Sequence, residues 1–516
     1  MPLARVETPL ISLDRRSRVP VFRQIYQTIR EGILSGRLLP NEVLPSSRAL
    51  ADGLKLSRNT VQQAYVQLLE DGFLESKIGS GTRVARTLPH TLSTPVQAFR
   101  ADASRNVPLS RRGKLLAGAC SAIVGDVPVL AFRPSVPALD AFPYDLWSRM
   151  LARTARTDSK EFDRCRDSAG YAPLREAIAM HLRATRSVRC NADNVIVTDG
   201  TQQALDLATR LLLDEGDTIW VEDPGYSGAR SVFFAAGLKV SPVPVDDEGL
   251  VVDAARIRFP TARAAYTSPS HQYPMGSTMS FSRRLSLLAW AQQVGAWIFE
   301  DDYDSEYRYG GQPVPALQGL DETGRVIYFG SFSKVMLPSL RLGYIVAPFN
   351  LAASFANARA ATTRYAAAIP QIAMTHFMRE GHLASHIYKM RALYSDRQSA
   401  LLEAAHQHLP DTLELRPSNA GMHLTGFLAD GLDDRVASTD AWQLGIIARA
   451  LSYDAIEAQP RGGLVLGYSA TSASTIVEGI RTLKSALSAQ LKRPSRRRRE
   501  PPTSNRPASL VPDLRV

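Results

Sequence analysis

Residues 194–213 read NVIVTDGTQQALDLATRLLL: a short β-prone run, an Asp-Gly turn and a helical run. The same alternation recurs outward from it. DTIWV (217–221), RAAYT (263–267), AWIFE (296–300), RVIYF (325–329) and RLGYIV (341–346) read as strands, separated by helical stretches such as FSRRLSLLAWAQQVG (281–295). This order predicts an α/β fold, a mostly parallel doubly wound sheet with helices on both faces, completed by a smaller C-terminal α+β part. Ligands of such sheets bind beyond the carboxyl ends of the strands, so the residues after each run carry the functional reading.

After the first run come Gly200, Thr201 and Gln202, a strand-to-helix turn that aims backbone N–H groups and a hydroxyl at an anion. After DTIWV, the segment 222–226 brings Tyr226 to the mouth of the sheet. After AWIFE, period-two alternation puts Asp301 and Tyr303 on one face and Asp302 on the other. After RVIYF come Ser331, Ser333 and Lys334, with Arg341 seven residues on. Each cluster alone reads as surface chemistry. Together they supply what a pyridine aldehyde phosphate needs: a lysine for its imine, a carboxylate for the ring nitrogen, a stacking ring, a phenol for the 3′-oxygen and a phosphate cup.

The chain is 516 residues long, enough for several domains with a large core, and its 45% hydrophobic and 22% charged content is that of a globular protein. Three cysteines, Cys120, Cys165 and Cys190, lack disulfide-framework or zinc spacing, so a reduced, metal-free interior is expected. The opening MPLARVETPLISLDRR has no apolar leader core and no run approaches the ~18 apolar residues of a membrane span, which predicts a soluble, cytoplasmic protein with no membrane partner. The net charge of +11 is uneven: +4 over 1–85, +5 over 86–114, −3 over 115–492 and +5 over 493–516. A near-neutral body with basic flanks suits contact with a polyanion. The run 496–499 (RRRR) reads equally as a solvated tail or a nucleic-acid contact.

Phe22, Ile25, Ile29 and Ile33 predict an amphipathic helix over 20–35. Ser46 and Ser57 are placed to cap two further helices, together a helix-turn-helix. The second opens with Ser57, Arg58, Asn59 and Thr60, the residue types a recognition helix presents to the major groove, with Arg58 the foremost base reader. GFLESKIGSGTRVA (72–85) alternates as a two-stranded wing around Gly79, with Arg83 adding charge. Trihelical folds also dock proteins, but these side chains favour double-stranded DNA. The resulting domains are a winged helix (1–85), a flexible Pro/Ser/Thr/Arg-rich linker (86–107), a cofactor domain (108–492) and a basic tail (493–516).

LPSSRALADGLKLSRNTVQQAYVQLLEDGFLESKIGSGTRVA (44–85) resembles the winged helix of GntR-type transcription regulators, which implies DNA contacts by Arg48, Arg58, Thr60 and Gly79. Residues 130–490 resemble fold-type I pyridoxal phosphate aminotransferases. With PSHQYPMG, EDDYDSEYRYG and GSFSKVMLPSLRLGY, nearly the whole chain resembles MocR-type regulators. The resemblance implies pyridoxal 5′-phosphate as cofactor, with Lys334 in the internal aldimine, Asp301 on the pyridinium nitrogen, Tyr303 on the 3′-oxygen and Tyr226 stacked on the ring. It implies Gly200, Thr201, Gln202, Ser331, Ser333 and Arg341 around the phosphate.

Three positions depart from the aminotransferase pattern. Tyr273 stands where Asn is usual, Cys165 aligns with a Tyr that reaches the other subunit, and Val465 replaces the substrate-carboxylate Arg. Without that bidentate clamp, efficient transamination of α-amino acids is not expected; Arg461 is the candidate replacement. The expected function is a DNA-binding regulator that senses pyridoxal phosphate or a small amino compound as effector. The alternative is an active aminotransferase with an accessory winged helix. A homodimer built through the large domain is expected, with FRPSVPALDAFP (132–143), an irregular segment, near its boundary.

Overall fold

Capping and apolar spacing set the elements of the amino-terminal unit. The structure, a computed structural model, describes residues 13–14, 17, 19–77, 81–87, 108–118, 131–156, 159–310 and 314–491, in two compact units that divide after Pro108. Gly79, residues 88–107 of the expected linker and the basic tail lie outside the described residues.

In the first unit α1 spans Val21–Leu34, α2 Ser47–Leu54 and α3 Arg58–Glu70. The Ser46 hydroxyl accepts from the Ala49 N–H at 3.1 Å and the Ser57 hydroxyl from the Thr60 N–H at 3.3 Å, each satisfying one donor at a helix start. Ile25, Ile29 and Ile33 of α1 meet Leu50 of α2 and Val61, Ala64 and Leu68 of α3 in one dry cluster. The wing strands β1 (Leu74–Lys77) and β2 (Gly81–Val84) pair antiparallel, Leu74 opposite Val84.

The second unit holds an eight-stranded sheet. Its strands are β3 Val195–Thr198, β4 Thr218–Asp223, β5 Lys239–Asp246, β6 Gly249–Leu250, β7 Ala264–Thr267, β8 Trp297–Asp302, β9 Val326–Ser331 and β10 Gly343–Val346. They lie in the order β3-β10-β9-β8-β7-β4-β5-β6. The run from β5 through β4, β7 and β8 to β9 is parallel, whereas β10 lies antiparallel between β3 and β9. Apolar periodicity reveals a strand but not its direction, so β10 reads like the others in sequence. Strand β5 (KVSPVPVD) is hidden in sequence by Pro242 and Pro244; in the fold it lies near the edge, where a missing N–H leaves few ladder bonds unmade.

Both faces of the sheet are buried. Ile196, Leu205, Phe233, Phe299 and Phe329 pack on one side, and Leu174, Ile178, Val197, Tyr328 and Tyr344 on the other. The C-terminal part is an antiparallel sheet of β11 (Leu413–Leu415), β12 (His423–Leu428), β14 (Gly463–Gly467) and β13 (Arg449–Ala450), in that spatial order. Leu424 and Leu466 pack there with Leu401, Ile480 and Leu483 of helices His382–His408 and Ala473–Leu491. No helix among the described residues is long and apolar enough to cross a membrane, and no group of three or more His, Cys, Asp or Glu there could hold a metal.

In the eight-stranded sheet Gly343 sits at a close backbone crossing: a Cβ there would lie 2.9 Å from Gly200 Cα and 3.0 Å from the Gly330 carbonyl oxygen. Both obstacles are backbone and cannot rotate away. Gly343→Ala should therefore destabilise the large unit by about 1–3 kcal/mol, read as a lower urea midpoint with unchanged slope.

Candidate functional site

Thr198, Gly343 and Ser331 pair in one row across β3, β10 and β9. The row brings three chain segments to one corner: Gly200 and Thr201 after β3, Ser333 and Lys334 after β9, and Arg341 before β10. Gly200 has φ 111° and Arg341 φ 49°, and a Cβ on Gly200 would sit 3.7 Å from an Arg341 guanidinium nitrogen. Helix Thr201–Leu212 begins at Gly200 with no side-chain cap, so its first N–H groups face this corner alongside the guanidinium. The Ser331 hydroxyl accepts from the Ser333 N–H at 3.1 Å. The Gln202 side chain turns away to donate to the Gly228 carbonyl at 3.2 Å, which leaves its backbone as the part near the corner. Gly228 lies under the Tyr226 ring, where a Cβ would come within 2.4 Å of the phenol.

The reactive centre lies beside this corner. Lys334 Nζ donates to the Ser135 carbonyl at 2.9 Å. Burial pulls the Lys334 ammonium below its ordinary value, against the opposing pull of the Asp304 and Asp301 carboxylates, which favours the nucleophilic amine. Asp301 Oδ2 accepts from the Tyr266 hydroxyl at 2.6 Å, while Oδ1 is buried without a hydrogen-bond partner. Burial pushes the Asp301 carboxyl up to about 7; Tyr266 and Lys334 lower it, and Asp302 and Asp304 raise it. Asp302 points the other way, to Arg186 Nε at 2.8 Å and the Tyr328 hydroxyl at 2.6 Å. Burial opposes its charge, yet Arg186 and the donors around it hold its carboxyl below the ordinary value. The alternation expected along AWIFEDDY is therefore present.

The Tyr303 hydroxyl lies 2.9 Å from His271 Nδ1, and Asp304 Oδ2 lies 2.9 Å from the same nitrogen. His271 follows β7 within PSHQYPMG, and its partners Tyr303 and Asp304 lie 32 and 33 residues further on, a pairing that no local pattern records. Ser135, Tyr266 and Asp304 were also missed, since each acts through a partner distant in the chain. Tyr273 donates its hydroxyl to Asp454 at 3.4 Å, and its ring stands edge-on to Tyr226 and Tyr303 at 6.2 and 6.4 Å. It walls the site and turns its hydroxyl away from Tyr303.

Arg461 does not join this cluster. Its guanidinium donates to Glu414 at 2.6 Å and to the Leu428 carbonyl at 2.8 Å, and it stacks over Phe427. Cys165 is buried in the apolar cluster with Leu174 and Phe332, so it offers nothing at the surface. In the first unit Arg48, Ser57 and Arg58 are exposed, and the Ser57 and Thr60 hydroxyls lie 2.8 Å apart, so both serve the cap. Arg83 is half-buried on β2 opposite Glu75.

Residues 22–84 match the model of bacterial regulatory proteins of the gntR family, and residues 140–458 match that of aminotransferase class I and II. The probable rhizopine catabolism regulatory protein MocR of Rhizobium meliloti is 41% identical over 93% of this chain and 96% of its own length. The chain belongs to the MocR-type regulators. A second relative of this MocR-type chain, the pyridoxine biosynthesis transcriptional regulator PdxR of Corynebacterium glutamicum, is 33% identical over 90% of the chain and 96% of its own length. Among solved structures, kynurenine aminotransferase of Pyrococcus horikoshii superposes with a TM-score of 0.66 at 27% identity, covering 75% of this chain and 96% of that one. LysN, an α-aminoadipate aminotransferase of Thermus thermophilus, gives 0.65 at 27% identity, with 75% and 96% covered.

The residues of this MocR-type site fit pyridoxal phosphate: the orphaned Asp301 Oδ1 is an acceptor for a ring N–H, and the Gly200–Arg341 corner is a receptor for an anion. Burial pushes the Asp301 carboxyl up to about 7, so below that pH it is increasingly neutral and would no longer ion-pair with a pyridinium. Affinity for pyridoxal phosphate should fall as the pH drops from 8 to 6. Asp301→Asn should bind about 10- to 150-fold more weakly at pH 8, the worth of one charged hydrogen bond, with a flatter pH profile by fluorescence titration.

Proposed function

We propose that this protein is a MocR-type transcription regulator that holds pyridoxal phosphate on Lys334 and changes its operator binding when that cofactor, or an amine reacting with it, occupies the site. One observation carries the reading: a gntR-type winged helix shares a chain with an aminotransferase fold in which a half-buried lysine, an orphaned carboxylate and a guanidinium corner converge. When bound, pyridoxal phosphate supplies an aldehyde carbon that takes up amines reversibly and an absorbance that reports it.

The protein's own groups do the rest. Lys334 offers the amine, and Asp301 keeps the ring nitrogen protonated. His271 Nδ1 holds the Tyr303 oxygen, leaving the phenol to face the 3′-oxygen. Tyr226 covers the ring face, and Gly200, Thr201, Gln202 through its backbone, Ser331, Ser333 and Arg341 receive the phosphate. Arg48, Ser57, Arg58, Thr60, Gly79 and Arg83 meet double-stranded operator DNA in the cytoplasm. Residues 1–85 act as the DNA-binding domain, 86–107 as linker and 108–492 as the sensing domain. A homodimer assembled through the large domain sets two winged helices on two half-sites. A working aminotransferase is the alternative, and turnover with a 2-oxo acid acceptor would reveal it.

Operator affinity measured at one salt concentration, with and without pyridoxal phosphate and an amine, tests the reading. Arg58→Ala should weaken binding by about 1–3 kcal/mol in every condition, the worth of a bidentate base contact. Lys334→Ala should bind as the cofactor-free protein does and ignore the ligand. Identical wild-type affinities and footprints in all conditions would overturn the sensing role.

A further inference from the structure

The wall of the site facing Lys334 carries a second message, about which amine enters. Val465 sits in the middle of β14, paired with Thr425 on β12 and with Arg449 on β13. Cross-strand partners share a face of a sheet. That face looks into the site. The Thr425 hydroxyl donates to the Pro274 carbonyl at 2.6 Å, and His423, two residues earlier on the same face, bonds to the same carbonyl at 3.1 Å. The His423 ring stands 5.2 Å from the rings of both Tyr273 and His271. Val465 therefore places an apolar side chain on the face that Thr425 and His423 turn toward the site.

Arg449 is the guanidinium nearest in register to that position, and it is already committed. Its Nε and one terminal nitrogen each lie 2.8 Å from the Asp454 carboxylate, a bidentate pair. Asp454 is wholly buried and also accepts from the Tyr273 hydroxyl. Drawing Arg449 to another carboxylate would strand the Asp454 charge in the interior. His423 offers no positive charge, because burial, with His271 nearby, pushes its imidazole down to about 3. Arg230 behind Tyr226 is buried and donates to the Asp454 and Tyr453 carbonyls. Arg133, which also acts on Lys334, is exposed, so water screens it.

We propose that the site selects primary amines that carry no carboxylate on the amine-bearing carbon, with the Arg449–Asp454 pair and Val465 together withholding the cation that an α-amino acid requires. This rests on the reading that Lys334 holds pyridoxal phosphate. The test titrates the cofactor absorbance of the full-length holoprotein with matched pairs that differ only in the carboxylate: ethanolamine against serine, and tyramine against tyrosine. The decarboxylated member should shift the spectrum at a concentration at least about tenfold lower in each pair. Asp454→Asn leaves the Arg449 charge unpaired in a side chain of similar shape and should shrink or reverse that ratio. Equal or stronger response to the amino acids in wild type, or an unchanged ratio in Asp454→Asn, would overturn the inference while leaving the cofactor reading intact. A protein with no cofactor absorbance before any amine is added defeats the cofactor reading, and the inference with it.

Discussion

The site depends on one backbone constraint: β10 runs antiparallel between β3 and β9 with Gly343 between Thr198 and Ser331. That register makes the residues after two strands and the residue before a third meet at one corner. Gly343 lets the backbones close to a distance that any side chain there would forbid, and Gly200 supplies the positive φ of 111° that the turn requires. The uncapped helix start, the Arg341 guanidinium and the Ser331 hydroxyl then converge without any loop having to reach far. A larger residue at Gly343 would push the corner apart before it altered any chemical group.

Around that frame, buried carboxylates are sorted by what each one touches. Asp302 is paired with Arg186 and Tyr328, and Glu300 accepts from the Leu317 and Gln318 N–H groups at 2.7 and 2.8 Å. These serve the fold. Asp301, adjacent in sequence, makes no ion pair among the described residues and has its carboxyl pushed up by burial, whereas Arg186 holds that of Asp302 down. Strand alternation separates the two roles by one residue.

The facing wall belongs to the small sheet, whose polar groups bond to the segments around it. Thr425 and His423 close on Pro274, while Arg449, Asp454 and Tyr273 form a neutral network. In a cofactor-dependent fold the first sheet supplies the chemistry, and this second sheet decides what meets it. The winged helix is built on separate terms, from caps and a small apolar core of its own.

The amino-acid sequence by itself determined the alternating strands and helices, both serine caps, the opposite facing of Asp301 and Asp302, and Lys334 as the lysine behind a strand end. All of these follow from local periodicity and residue chemistry, which a linear pattern records. Tertiary structure alone decided the direction of β10, the presence of β5 behind its prolines, the bond from Lys334 to Ser135, 199 residues apart, and the joining of His271 to Tyr303 and Asp304. It also moved Arg461 out of the site and set Arg449 against Asp454 beside Val465. Such contacts depend on which strands become neighbours, and neighbour choice is settled by burial of whole faces rather than by any short stretch of chain.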